Sequence, residues 1–152
     1  AGIRLGFAVS SPNLARVLNA LRSPYNLNSL SAAAGSILLS EPDYIRNAVA
    51  QILENRKELY EMLKLLEANP VIKKIYPSAT NYICVSTDYA DRICAELKGR
   101  SILVRNLKNM LRITVGTKEE NQTVIEELRA IIESINSISQ SETEERANEE
   151  RM

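Results

Sequence analysis

One amphipathic stripe constrains this chain more than any other feature. The apolar side chains Ile45, Ala48, Val49, Ile52, Leu53, Leu59, Tyr60, Leu63 and Leu66 recur at the three-and-four spacing that places them on one face of an α-helix. Asn69-Pro70 ends the run, because proline has no amide hydrogen and bars the residue before it from the helical region. Ser40-Glu41-Pro42-Asp43 marks its beginning, with proline near the first helical position and an acid in the first turn. A long helix with a single apolar face needs a layer to lie on. Residues 74–76, 81–86, 102–105 and 111–115 are short and rich in β-branched or aromatic side chains, and they predict strands of a small, mainly antiparallel sheet.

Helices are expected between and after these strands. Asp88 is placed to cap one that carries Tyr89, Ile93, Cys94 and Leu97 and stops at Gly99. Thr117-Lys118-Glu119-Glu120 has the form of a capping box, opening a helix with Val124, Ile125, Leu128, Ile131, Ile132 and Ile135 turned inward. From residue 70 onward the alternation therefore predicts an α+β layer pair, with helices on one face of the sheet. Beyond Ile138 no large apolar residue appears before Met152, so residues 139–151 are expected to be disordered or to extend as an exposed helix.

Ahead of the long helix, Ile3, Leu5, Phe7 and Val9 alternate with Arg4, Gly6 and Ala8, which predicts a strand with one bulky and one mostly small face. Small residues let a ligand or another backbone come close, and an arginine among them is placed to meet an anion; an edge arginine in solvent is the alternative. Ser11-Pro12 then starts a short helix carrying Leu14, Val17, Leu18 and Leu21. Residues 24–28 predict a loop, and residues 30–39 an alanine-rich helix. The alternation begins at once behind Ala1, as expected of one piece of a longer polypeptide.

Composition excludes several classes of function. Nineteen basic and nineteen acidic residues cancel, so no overall field would draw a nucleic acid or an acidic membrane surface. No apolar run approaches the roughly 20 residues needed to cross a bilayer, and the expected location is the cytoplasm. The chain has no histidine, which rules out Ser-His chemistry and histidine-bound metal within it; no metal site is expected. Two cysteines, Cys84 and Cys94, make no disulfide framework, and both read as reduced packing residues.

Two stretches carry more than this class-level reading: Ala1-Gly2-Ile3-Arg4-Leu5-Gly6-Phe7 and Leu111-Arg112-Ile113-Thr114-Val115-Gly116-Thr117. Together with Pro24-Tyr25-Asn26-Leu27-Asn28, the long helix and Ser78-Ala79-Thr80-Asn81-Tyr82, they resemble the histidinol-phosphate aminotransferases, in the same order and at matching separation. The resemblance implies the α/β fold of the type I pyridoxal-phosphate enzymes, of which this chain would supply the carboxy-terminal part. Residues 1–41 would end the large cofactor domain, residues 42–69 would form the long connecting helix, residues 70–138 the small α+β domain, and residues 139–152 a polar tail. It further implies pyridoxal 5'-phosphate as cofactor, a phosphorylated amino compound and a keto acid as small-molecule substrates, and a homodimer.

By the same resemblance Arg4 is the ligand of the cofactor phosphate and Arg112 that of the substrate α-carboxylate, with Tyr25, Asn26, Asn81 and Arg105 as further substrate contacts. Arginine suits both places, since its planar fork matches phosphate and carboxylate through paired, charge-assisted hydrogen bonds. The connection over residues 106–110 lacks the glycine that the family often has before its Leu-Arg-Ile. The lysine that holds the cofactor lies upstream of Ala1 in this family, and none of the lysines here stands in its motif, so no catalytic residue is assigned within the chain. A related aminotransferase or a threonine-phosphate decarboxylase would fit the same arginines. A catalytically dead, stand-alone α+β interaction module is the reading from another class.

Overall fold

A computed structural model describes the backbone of residues 2–149 and the side chains of residues 2–138. The chain divides into two compact units, Ala1–Val49 and Ala50–Met152.

The first unit holds α1 (Pro12–Leu21), α2 (Ser29–Ser40) and the opening turns of α3 (Pro42–Lys64). Pro12 occupies the first turn of α1, where a missing amide hydrogen costs nothing, and Asn28 caps α2 by accepting from the Ser31 amide (2.8 Å). The strand expected over residues 3–9 is not formed: these residues have turn or irregular backbone, and Phe7 and Val9 are 80% and 91% exposed. Alternation prepares a strand, but a strand exists only when its amides and carbonyls find a neighbour, and no described residue pairs with this one. Among the described residues of this unit only Ser31 and Gly35, both on α2, are buried.

The second unit carries the core. It comprises the remainder of α3, a 3-10 turn (Leu65–Ala68), β1 (Lys74–Tyr76), β2 (Tyr82–Ser86), α4 (Ala90–Gly99), β3 (Arg105–Asn106), β4 (Met110–Thr114) and α5 (Lys118–Glu149). The four strands make one antiparallel sheet in the order β1-β2-β4-β3. Ile75, Ile83, Val85, Leu111 and Ile113 point to one face and are buried with Leu59 and Leu63 of α3, Ile93 and Leu97 of α4, and Ile125, Leu128, Ile131 and Ile135 of α5. Leu59 and Leu63 continue the stripe that begins at Ile45, and it is this later half of the stripe that meets the core.

Several local expectations shift. The third strand occupies Arg105–Asn106 rather than residues 102–105, because only these two residues lie opposite Arg112 and Leu111. Asp88 does not cap α4; it pairs with Lys73 (2.6 Å), Tyr89 is the cap residue, and the Tyr89 amide donates instead to Thr87 Oγ1 (3.1 Å). Cys94 packs against the core as expected, whereas Cys84 lies on the opposite face of the sheet from Ile83 and Val85. The backbone of α5 is helical to Glu149, and the last three residues of the expected tail lie outside the described ones. Among the described residues no helix is long and apolar enough to cross a membrane.

Candidate functional site

In the first unit, Ile3 and Leu5 fasten the leading segment to α2. The Ser31 hydroxyl donates to the Ile3 carbonyl, and Leu5 lies against Gly35, where any Cβ would collide with Leu5 Cδ2. Residues 31 and 35 are one helical turn apart, so the two attachments share one face of α2. Arg4 is held between them with a φ of 54°, a left-handed conformation that costs a residue with a Cβ about 1–2 kcal/mol. It borders a cavity of about 410 Å³ with Ser10, Asn19, Arg22 and Asn26. Among the described residues no carboxylate lines this cavity, so its charged groups are two guanidiniums and its remaining polar side chains can donate to an anion. Tyr25 also has a positive φ (58°) but is fully exposed and does not line the cavity. Sequence reasoning missed Asn19, in the last turn of α1, and Arg22, which caps its carboxy-terminal end; their only signal is their place just before the Ser23-Pro24 break.

In the second unit the sheet has a face that the helices leave open. Residues 111 and 113 of β4 point into the core, which sends Arg112 and Met110 the other way. In register across the strands stand Tyr76, Cys84, Arg112 and Arg105, one from each of β1, β2, β4 and β3. Arg105 and Arg112 are therefore direct cross-strand neighbours, an arrangement of like charges that destabilises a sheet when nothing neutralises it. Neither has an acidic partner among the described residues. Arg105 is exposed and Arg112 half-buried, and the Nε of Arg112 is covered with no hydrogen-bond partner. Asn81 is exposed just before β2, and its carbonyl accepts from the Val115 amide (2.9 Å). Two guanidiniums side by side have the chemistry to grip a planar or tetrahedral anion through paired hydrogen bonds.

The turn from β3 to β4 closes without glycine. Lys108 takes a φ of 68° there, and the Leu107 amide donates to the Met110 carbonyl (2.7 Å). The hairpin that sets Arg105 beside Arg112 thus forms with a non-glycine residue in the left-handed position.

Residues 1–128 match the aminotransferase class I and II family. The chain belongs to that family. Among the relatives of this aminotransferase chain, the histidinol-phosphate aminotransferase of Flavobacterium johnsoniae is 39% identical over 137 residues, covering 86% of the chain and 38% of the relative. That of Thermoanaerobacter sp. is also 39% identical, over 138 residues, with 87% and 38% covered. The chain thus spans about 38% of the length of the relatives it matches. Among solved structures, the histidinol-phosphate aminotransferase of Sinorhizobium meliloti in complex with pyridoxal-5'-phosphate superposes with a TM-score of 0.69 at 23% identity, covering 84% of this chain and 36% of that one. That of Clostridium acetobutylicum gives a TM-score of 0.67 at 18% identity, covering 80% and 38%. At these identities the likeness shows the shared α/β fold.

Proposed function

We propose that this aminotransferase chain is the carboxy-terminal part of a pyridoxal-phosphate-dependent enzyme that moves an amino group between histidinol phosphate and 2-oxoglutarate. The observation that carries the reading is the pair Arg105 and Arg112, cross-strand neighbours on the open face of the sheet without acidic partners among the described residues. The curated relatives of that name, at 34–39% identity, support the choice of substrate. Both substrates are anionic, one through a phosphate and one through carboxylates. In this reading Arg112 clamps the α-carboxylate, Arg105 meets the substrate phosphate, and Tyr25, Asn26 and Asn81 contribute further contacts.

The residues at Arg4 fit the phosphate of the cofactor: two guanidiniums, two amides and a hydroxyl line one cavity, with no carboxylate beside them among the described residues. Arg4 would hold that phosphate, with Arg22 beside it. Pyridoxal phosphate supplies the electron sink for transamination when bound. This chain's own part is to bind and orient; the lysine that would carry the proton belongs to sequence upstream of Ala1. A homodimer working in the cytoplasm, with no nucleic acid or membrane as partner, completes the proposal.

The polypeptide extended upstream to include that lysine should transaminate histidinol phosphate with 2-oxoglutarate, as measured by coupled glutamate formation. Arg112→Lys should raise the KM for 2-oxoglutarate roughly ten- to a hundred-fold, the loss expected when a paired charge-assisted contact becomes a point contact. Release of carbon dioxide from threonine phosphate with no transamination would replace this reading by the decarboxylase. An upstream sequence without the lysine would favour the stand-alone module.

A further inference from the structure

We propose that Tyr82 is the positioning residue for Arg112, holding its guanidinium edge-out on the open face of the sheet. The proposal rests on the assignment of Arg112 as the carboxylate clamp and adds the group that aims it. Tyr82 and Cys84 lie on the same face of β2, and Cys84 stands directly opposite Arg112, so Tyr82 is Arg112's diagonal neighbour on β2, the strand paired with β4. Its ring centre lies 5.0 Å from Arg112 Cζ, within the range of a cation–π contact. Two further observations need that ring. The Nε of Arg112 is covered yet unpaired by any hydrogen bond, a loss of hydration that the electron-rich face of an aromatic ring can partly offset. Arg105 sits directly opposite on the other side and pushes the guanidinium away, so without a restraint on β2 the side chain would swing clear of its neighbour. No acidic side chain holds Arg112 among the described residues, which leaves its outer nitrogens for a ligand. A carboxylate in place of Tyr82 would restrain the arginine too, but would neutralise the charge that binds the ligand. An aromatic ring restrains it and leaves the charge in place.

The first measurement reads the restraint itself. In the 152-residue chain labelled with 15N-arginine, the Arg112 Nε–H resonance should be displaced by the ring current of Tyr82, retained in Tyr82→Phe and returned to the ordinary arginine position in Tyr82→Leu. The second reads its consequence in the transaminating polypeptide. Tyr82→Leu should raise the KM for 2-oxoglutarate about two- to five-fold with kcat unchanged, the factor that one partly exposed cation–π contact supplies, and Tyr82→Phe should restore it. Should leucine disturb the sheet, Tyr82→Met removes the ring with a more adaptable side chain. An Arg112 resonance that stays in place in Tyr82→Leu, or a phenylalanine variant as impaired as the leucine one, overturns the proposal. If Arg112→Lys raises KM while Tyr82→Leu does not, the carboxylate clamp stands and the role of Tyr82 falls. If Arg112→Lys leaves KM unchanged, the clamp itself falls and takes this proposal with it.

Discussion

Gly116 shows how single residues hold the sheet to the helices. It joins β4 to α5, and all its backbone polarity is satisfied by two buried asparagines. Its amide donates to Asn121 Oδ1 (2.9 Å), and its carbonyl accepts from Asn55 Nδ2 of α3 (2.9 Å) and from Asn121 Nδ2 (3.3 Å). Asn121 is 2% exposed, so water cannot replace it. Asn121→Ala should lower stability by about 2 kcal/mol, because the Gly116 amide is left without a partner. Asn55→Ala should cost less, since the carbonyl keeps Asn121. Urea unfolding of the two variants gives the ranking, and an Asn55 variant weaker than the Asn121 one would refute it. An added Cβ at Gly116 would approach Glu120 Oε2 to 2.5 Å and Glu120 Cβ to 2.9 Å, so this glycine is required by close packing against the start of α5.

At the scale of elements, the capping box is legible and forms as the residue pattern indicates. The Glu120 amide donates to Thr117 Oγ1 (3.2 Å), and the Glu120 carboxylate accepts from the Thr117 amide (2.8 Å). Thr117→Ala should destabilise the chain by about 1 kcal/mol and Thr117→Ser by a fraction of that, read from the shift of the thermal midpoint. Equal losses in both variants would mean that the methyl group, and not the hydroxyl, does the stabilising. The expected cap at Asp88 fails for a physical reason that only three dimensions reveal. The buried Thr87 hydroxyl donates to the Val71 carbonyl (2.6 Å) and accepts the Tyr89 amide, which leaves Asp88 to face Lys73.

Across the whole molecule, charge pairing predicts the pH response. The hydrogen bond from Lys64, then that from the Ile75 amide, holds the Glu67 carboxyl below its ordinary value, and the same contact raises Lys64. Hydrogen bonding to Glu58, with Glu54 nearby, raises Lys118, while its own amide and the Thr117 hydroxyl lower Glu119. A lowered carboxyl contributes stability above its unfolded value and loses it as the pH falls through the folded one. A raised lysine contributes below its unfolded value and loses it as the pH rises through the folded one. The denaturation midpoint should therefore be flat near neutrality and fall at both extremes, and added salt should shallow both limbs, most of all for the exposed Lys118 and Glu119 and less for the half-buried Lys64 and Glu67. Lys118→Met should flatten part of the alkaline limb; an unchanged limb would show that the Lys118 pairs contribute nothing.

Periodicity, caps and breakers act over a few residues, and these determined the long α3, the inward stripe of α5, the strands at 74–76 and 82–86, and the outward direction of Arg112 opposite Leu111 and Ile113. The motifs around Arg4 and Arg112 determined the family resemblance for the same reason, being contiguous. What depends on partners far along the chain was decided by the tertiary structure alone. Residues 3–9 alternate like a strand and are none, because a ladder needs a second chain segment. Arg105 meets Arg112, Tyr82 meets Arg112, and Asn55 reaches Gly116 only once the strand order β1-β2-β4-β3 and the seat of α3 are settled. No local pattern encodes those pairings, since strand order follows from which faces can be buried together.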